Sequence, residues 1–183
     1  MYMGNFKTLA VFLLLGMVSL GYTQQKISYD DHPVLTWSDF KGAPVYDSEF
    51  HANTNSGFSY TWSYKTTNGE VDLQYEVYST FYPNGSWVHP DHKTDKLLKH
   101  EQAHFDISEI HARKLRKAMQ AYKPGRNIRK DLQKLYNDIE LERVKMQGEF
   151  DLESAHSMNS QAEMKWQAHI AKELDKLKEY AKK

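Results

Sequence analysis

The chain has 183 residues, and its 24 basic and 24 acidic side chains cancel to a formal net charge of zero. This length is sufficient for one domain with a core, and the balanced charge gives no electrostatic reason to expect nucleic acid or an anionic membrane as a partner. The absence of cysteine excludes disulfides, thiol nucleophiles and thiolate metal sites. A metal ion would therefore bind through His, Asp or Glu.

The first segment, residues 1–23, is predicted to be a secretory signal peptide. Lys7 precedes the apolar stretch TLAVFLLLGMVSLG, which has the length of a secretory core and is too short to span a bilayer comfortably. The small residues Gly21 and Thr23 stand where a signal peptidase could cut, and an uncleaved signal anchor is the alternative. We expect an exported protein, periplasmic or extracellular, with no other membrane association and a single mature domain over residues 24–183.

The sheet region, residues 24–90, favours a small antiparallel sheet of three or four strands. Residues 57–88 alternate aromatic or β-branched residues with polar ones, which is the period of a half-buried strand. TNGE at residues 67–70 predicts a two-residue hairpin turn, because Asn-Gly tolerates positive φ angles. Upstream, a short strand or turn would use Trp37 and Phe40 as core anchors.

One strand within this region is also a candidate for peptide binding. The segment from Ser79 to Tyr82 could be an edge that accepts a peptide by strand addition.

The helical region, residues 91–183, contains three stretches with the apolar spacing of helices. They are expected from Asp91 or Thr94 to Tyr122, from near Asn127 to Gly148, and from Ser157 or Ser160 to the C-terminus. Gly148 would end the second helix, Ser160 with Glu163 would form a capping box at the third, and residues 149–157 would be a connecting loop. A sheet followed by helices indicates an α+β fold.

The first long helix carries the motif His-Glu-x-x-His at His100, Glu101 and His104. Residues four apart lie about 40° apart on a helix and one turn along it, so both imidazoles can reach one ion. Glu101 lies beside that stripe, where it could act as a general base on a water bound to zinc. The pattern is typical of metal-assisted hydrolysis and of a zincin-like arrangement; the alternative is a solvated polar helix face.

A zinc site of this kind needs a third ligand. On the same helix Asp106 and Glu109 point away, and His111 lies about 10.5 Å along the axis from His104. Asp106 and Glu109 are therefore expected to support the ligating residues without binding the ion. For Glu109 the alternative is an ion pair with Arg113, four residues further along the helix.

The predicted loop after the second helix supplies the ligand candidates. Asp151, Glu153 and His156 all lie there. We take His156 as the third ligand, because it immediately precedes the third helix; the alternative is a loop histidine exposed to water. Asp151 and Glu153 would orient the ligating imidazoles, since a metal-bound histidine usually donates its other N–H to a carboxylate.

Three blocks of sequence together resemble a bacterial family of predicted secreted zinc-dependent proteases, catalogued as domain of unknown function family 922. The blocks are LLKHEQAHFDISEIHARKL (97–115), WSDFKG (37–42) and FDLESAHSMNSQAEMKW (150–166). The resemblance implies a zinc peptidase acting on a peptide or protein substrate. Phe150 stands where that family often has Tyr, and Ser154 replaces Thr but keeps the hydroxyl.

The function expected from the sequence is therefore an exported zinc-dependent metallohydrolase, more specifically a peptidase, with Glu101 as general base. The alternative is a non-catalytic envelope binding protein with a structural metal site. His89 and His92 precede the first helix; they are turn and helix-start residues, or they contact substrate or a second ion. No pattern in the sequence gives His51 a role, and none indicates an oligomeric state.

Overall fold

The computed structural model describes residues 25–182. The predicted signal peptide lies outside these residues. Within them, no helix combines the length and the apolar character needed to cross a membrane.

The strands form two small antiparallel sheets. The strands are β1 (Ile27–Ser28), β2 (Ala52–Asn53), β3 (Ser56–Thr67), β4 (Glu70–Phe81) and β5 (Trp87–Val88). β1, β4 and β3 make one sheet in that order, and β2 pairs with β5. The predicted hairpin turn is confirmed, because Thr67 pairs with Glu70 across Asn68 (φ 55°) and Gly69 (φ 84°).

The prediction that Ser79–Tyr82 is an edge is wrong. β4 is the central strand of its sheet, and Phe81 pairs with Ile27 on one side and with Ser56 on the other. The backbone groups that a peptide would need are therefore already used within this sheet.

The helices are α1 (Asp95–Ala121), α2 (Ile128–Ser154) and α3 (Ser160–Lys176). α1 begins as predicted, with the Thr94 side chain accepting a hydrogen bond from the Leu97 backbone N–H. Together with the small antiparallel sheet, the three helices confirm the α+β class.

The predicted end of α2 at Gly148 and the loop over 149–157 are wrong. α2 continues through Gly148 to Ser154, and only five residues separate it from α3. A glycine inside a helix costs about 1 kcal/mol, whereas complete burial of a Phe side chain contributes about 1.5–3 kcal/mol. Phe150 is fully buried against α1 and α3, so its burial outweighs the glycine and keeps this turn helical.

The predicted capping box at Ser160 is also replaced. Asn159 caps α3 by accepting from the Ala162 N–H, which leaves the Glu163 side chain available for a contact elsewhere. α3 ends at Lys176 rather than at the C-terminus, and a 3-10 turn over Lys178–Tyr180 follows.

α1 is the central element because each buried cluster contains part of it. Leu115 packs with Phe58 of the hairpin, Phe105 packs with Phe81, and Ile107 shares a cluster with Phe150. A helix covered on several sides buries its polar residues as well as its apolar ones, and this explains why the motif at residues 100–104 is buried.

Candidate metal centre

Two histidines from α1 and one aspartate from α2 converge on a single point. The Asp151 Oδ1 atom lies 3.3 Å from His100 Nε2 and 3.0 Å from His104 Nε2. The three donor atoms all lie within 4.8 Å of one another. Helix periodicity aligns the two histidines, and the extension of α2 past Gly148 brings the aspartate to them.

Hydrogen bonds on the far side of each ring determine which nitrogen faces Asp151. His100 Nδ1 lies 3.2 Å from Glu163 Oε2, and His104 Nδ1 lies 2.8 Å from Gln147 Oε1. Carboxylate and amide oxygens accept hydrogen bonds, so each Nδ1 donates. In the neutral imidazoles, each Nε2 then directs a lone pair toward the Asp151 carboxylate.

Lone pairs and a carboxylate facing one another require a cation between them. In the metal-free protein a proton takes that role: burial opposes the charge on His100, but Asp151 and Glu163 prevail and raise its pKa to about 9. Burial likewise opposes the charge on Asp151, and the contacts with His100 and His104 nevertheless hold the pKa of that carboxyl well below its usual range.

Two buried carboxylate oxygens in this region have no hydrogen-bond partner among the described residues. They are Asp151 Oδ1 and Glu101 Oε2. With both Nδ1 atoms protonated, Asp151 Oδ1 receives an N–H only from a charged imidazole; around neutral imidazoles three acceptor atoms face one another at 3.0–3.3 Å from Oδ1, which is the arrangement of ligand atoms around a shared ion. Two imidazole nitrogens and one carboxylate oxygen form a donor set that fits zinc.

Glu101 is buried beside the two histidines. Its residue is only 3 % exposed, and burial raises the pKa of its carboxyl, opposed in part by His104. The Thr54 hydroxyl donates to the Glu101 backbone carbonyl at 3.1 Å, which holds this turn of α1 against the segment around β2. A carboxylate whose pKa is raised above its usual value accepts a proton more readily, which suits it to general-base catalysis.

Phe150 forms the apolar wall behind the imidazoles. Its ring stacks on His100 with centroids 4.6 Å apart and meets His104 edge-on at 5.2 Å. Phe150 has no hydroxyl and offers no hydrogen bond to the site. Its ring contacts restrict the rotation of both imidazoles.

The cluster opens into a cleft of about 360 Å³, which is within the usual size of a small-molecule or substrate site. Residues 49–54, which include β2, and residues 155–158 line the cleft. α1 and α2 contribute Leu97, His100, Glu101, His104, Gln147 and Asp151 to the lining.

His156 lies at the rim of this cleft and is not one of the three convergent donors. Its Nδ1 is 3.7 Å from Asp151 Oδ1, its side chain is 46 % exposed, and its ring contacts Phe50 with centroids 4.2 Å apart. His156 and its neighbours Ala155 and Ser157 all have positive φ angles, between 46° and 71°. Left-handed backbone costs about 1–2 kcal/mol for each non-glycine residue, so the rim is held in a strained conformation.

The structure does not bring Asp106 or Glu109 to the histidines. Asp106 accepts hydrogen bonds from the Tyr29 hydroxyl at 2.9 Å and from Gln102 Nε2 at 2.7 Å. It braces the start of the described chain against α1.

The Glu109 carboxylate forms a buried ion-pair cluster on the other half of α1. Its Oε1 accepts from Arg113 Nε at 2.8 Å and from Arg116 Nη1 at 2.9 Å. The pairing with Arg113 is the one that their four-residue spacing anticipated.

Glu153 also lies away from the imidazoles, accepting a hydrogen bond from Trp166 Nε1 at 2.9 Å. The residues that orient the histidines are Glu163 and Gln147 instead. Gln147 lies four residues before Asp151, so a continuous α2 would have placed both on one face. No local pattern connects Glu163 with His100, because that contact joins two separate helices.

The chain matches the family described as "Bacterial protein of unknown function (DUF922)" over residues 39–157. This match covers more than half of the chain, and the protein therefore belongs to that family. The matched region includes the hairpin, His100, Glu101 and His104 on α1, and Asp151 on α2. A comparison with curated proteins and one with solved structures found no match. The family description assigns no activity, so the argument for a function depends on the site.

Proposed function

We propose that the protein is an exported zinc-dependent metallohydrolase that acts on peptides or proteins. The observation that carries this proposal is the convergence of His100 Nε2, His104 Nε2 and Asp151 Oδ1 beside the buried Glu101, whose Oε2 has no hydrogen-bond partner within residues 25–182. The support for export is the apolar stretch within residues 1–23, with the composition of a signal peptide.

In this proposal His100, His104 and Asp151 would hold the ion. Three protein ligands leave a position for water or substrate, as catalytic zinc sites require. When bound, zinc would supply Lewis acidity, which polarises a substrate carbonyl and lowers the pKa of a nearby water. Glu163 and Gln147 hold Nδ1 of the two imidazoles as donors, so that both Nε2 atoms remain free to bind the ion.

Glu101 is the proposed general base. Its Oε2 accepts a proton from the attacking water as the water oxygen bonds to the carbonyl carbon, and then returns the proton to the leaving amine as the C–N bond breaks. The unpartnered state of Oε2 supports this role, because no hydrogen-bond donor of residues 25–182 occupies the lone pair that would take the proton.

His156 is proposed as a rim residue that contacts substrate. Its exposed imidazole, next to Asp151, could donate a hydrogen bond to a substrate oxygen. Its ligand role from the sequence hypothesis is assigned here to Asp151, whose oxygen is 3.0–3.3 Å from both imidazoles.

The peptide substrate class is supported by the cleft wall. β2 pairs only with β5 in a two-stranded sheet, so one edge of β2 has no partner strand among residues 25–182. Residues 52–54 line the cleft. An extended peptide could pair with this edge and direct a carbonyl toward His100 and His104.

The first experiment compares zinc content and hydrolysis in matched variants of the mature protein. Glu101→Gln should retain zinc and lose hydrolysis of a quenched peptide library by about 10²–10⁴-fold, because it removes only the base. Asp151→Asn should lose zinc, whereas His156→Asn should retain it. Glu153→Gln is the control, since Glu153 lies on the same helix and contacts Trp166 instead of the histidines.

The outcomes separate catalysis from a structural metal. A protein that purifies without zinc and gains none on dialysis would contradict the proposal. A zinc-loaded protein whose Glu101→Gln variant is indistinguishable from wild type would favour the non-catalytic binding protein.

A further inference from the structure

A second group of histidines lies at the edge of the cleft, outside the cluster around Asp151. His51 precedes β2, His89 follows β5, and His92 ends the 3-10 turn Pro90–His92. One ring nitrogen from each can be chosen so that all three lie within 4.8 Å of one another. We name His51, His89 and His92 the rim histidines; His156 is not one of them.

Backbone hydrogen bonds hold the rim histidines together. The His89 N–H donates to the His51 carbonyl at 2.8 Å, and the His92 N–H donates to the His89 carbonyl at 3.0 Å. The antiparallel pairing of Ala52 with Val88 continues the same register. The positions of the three side chains are therefore set by the fold rather than by chance contact of long surface groups.

The ring of His89 is already arranged as a ligand. Its Nε2 lies 3.1 Å from the Val45 carbonyl oxygen, and a carbonyl only accepts hydrogen bonds, so Nε2 donates and Nδ1 keeps its lone pair. Tyr46 and Trp87 stack against the ring at 5.1 Å and 5.2 Å. A ligating histidine typically has such a second hydrogen bond to fix its orientation.

The other two rings are less constrained. His51 and His92 stack face to face with centroids 3.6 Å apart and an angle of 9°. Both rings would have to turn about their Cβ–Cγ bonds to direct nitrogens at one ion, and the exposed side chain of His51 permits this. No ion pair within residues 25–182 involves any rim histidine, so no carboxylate of that region competes for these rings.

We propose that His51, His89 and His92 form a second binding site for a divalent transition-metal ion of the zinc class. Three imidazoles are the ligands preferred by zinc, copper and nickel. This inference does not depend on the hydrolase proposal, because it uses different residues and predicts metal binding alone.

Such an ion would connect the cleft wall to the start of α1. His51 adjoins β2, which lines the cleft, and His92 lies shortly before Asp95 at the start of α1. β2 and β5 pair over only two residues, and short strands are weak elements by themselves. In a chain without cysteine, the ion would stabilise this wall as a cross-link.

The test counts zinc equivalents in the mature protein after chelation and equilibrium dialysis against micromolar zinc. Wild type should bind two equivalents. His100→Asn/His104→Asn should retain one, and adding His51→Asn/His92→Asn to that background should remove it. His169→Asn is the matched control, because this exposed histidine contacts Trp166 on α3 and belongs to neither cluster. Far-UV circular dichroism verifies that each variant is folded.

A spectroscopic measurement identifies the ligands directly. Cu²⁺ added to His100→Asn/His104→Asn should give nitrogen hyperfine coupling in its electron paramagnetic resonance spectrum, and adding His51→Asn/His92→Asn to that variant should abolish the coupling. If wild type binds one equivalent that His51→Asn/His92→Asn leaves unchanged, the rim site is overturned while the hydrolase proposal stands. If wild type binds one equivalent that His51→Asn/His92→Asn removes and His100→Asn/His104→Asn leaves unchanged, the rim site is supported and the zinc hydrolase is contradicted.

Discussion

The two halves of α1 each bury a glutamate, and they surround it in opposite ways. Glu109 is fully buried, and its carboxylate pairs with Arg113 and Arg116. Glu101, two turns earlier, is only 3 % exposed and forms no ion pair with a lysine or arginine among the described residues, although each glutamate has one oxygen, Oε2, without a hydrogen-bond partner there. Two buried acids on one helix thus differ in their electrostatic environments, and the one without an arginine partner lines the cleft.

This difference separates structural burial from functional burial. A buried charge without compensation is costly, so an arrangement like that of Glu101 persists where the surrounding structure imposes it. The paired arrangement around Glu109 is the ordinary solution for a buried ion. The same isosteric substitution at the two positions should therefore have opposite effects on stability.

The largest effect is expected at Glu109. Glu109→Gln should lower the free energy of unfolding by about 3–5 kcal/mol, because it leaves two largely buried arginines without their carboxylate. Urea unfolding at pH 7 measures this change. A loss below about 1 kcal/mol would mean that solvent compensates the arginines and would remove the contrast between the two halves.

The second effect is a pH dependence set by His111, also on the structural half of α1. Burial, assisted by the charge on Lys114, lowers the pKa of His111 to about 4 although its Nδ1 donates to the Ile107 carbonyl. In the unfolded chain this pKa is near 6.5, so between these values only the unfolded state takes up the proton. Stability is then complete above about pH 6.5 and falls by up to about 3 kcal/mol as the pH drops toward 4.

The measurement for His111 is the free energy of unfolding at several pH values between 4 and 7. His111→Asn should remove this part of the slope. His100 does not contribute in that range, because its pKa is raised and its stabilising effect is lost only as the pH rises from about 6.5 toward 9. An unchanged slope in His111→Asn would show that other groups cause the acid sensitivity.

A smaller effect is expected at Glu163, which positions His100. Glu163→Ala should weaken zinc binding about 10–100-fold, the usual cost of removing the carboxylate behind a ligating imidazole. Glu163→Gln should weaken it less, because its amide oxygen can still accept from Nδ1. Competition with a chromophoric chelator measures the affinity, and Glu153→Ala is the control; equal affinities in all four proteins would exclude a positioning role.

The smallest effect is expected for Glu101 in the metal-free protein. Burial raises the pKa of its carboxyl, so the charged form destabilises the fold at every pH above about 4.5. Glu101→Gln should therefore stabilise the chelated protein by up to about 1 kcal/mol at pH 7. A lower thermal midpoint than wild type would mean that this carboxylate is stabilising, and the two halves of α1 would not differ in kind.

Local patterns in the sequence were sufficient for several elements. The Asn68-Gly69 pair predicted the hairpin turn, the apolar spacing predicted α1, and the four-residue interval placed His100 and His104 on one face. Each of these predictions depends on neighbours within one or two turns, where backbone geometry leaves few alternatives. The resemblance to the family of unknown function is confirmed over residues 39–157, whereas the zinc-protease activity that it implied stays a prediction.

The elements that were mispredicted depend on burial. Gly148 is a reasonable helix end by propensity, yet α2 passes through it because Phe150 is buried by the packing of three helices. Ser79–Tyr82 was a possible edge on its length alone, and its neighbours in space make it central. For Gly148, a local preference of about 1 kcal/mol is smaller than the effect of long-range packing; for Ser79–Tyr82, only the long-range pairing decides its place in the sheet.

By itself, the amino-acid sequence determined the chemistry available to this protein: no thiols, a formal net charge of zero and a helix that presents two imidazoles beside a carboxylate. Only the tertiary structure decided that Asp151 joins those imidazoles, that Glu163 orients one of them, and that His51 meets His89 and His92. The physical reason is distance along the chain: helix and turn geometry relate residues a few positions apart, whereas side chains tens of residues apart meet only through packing.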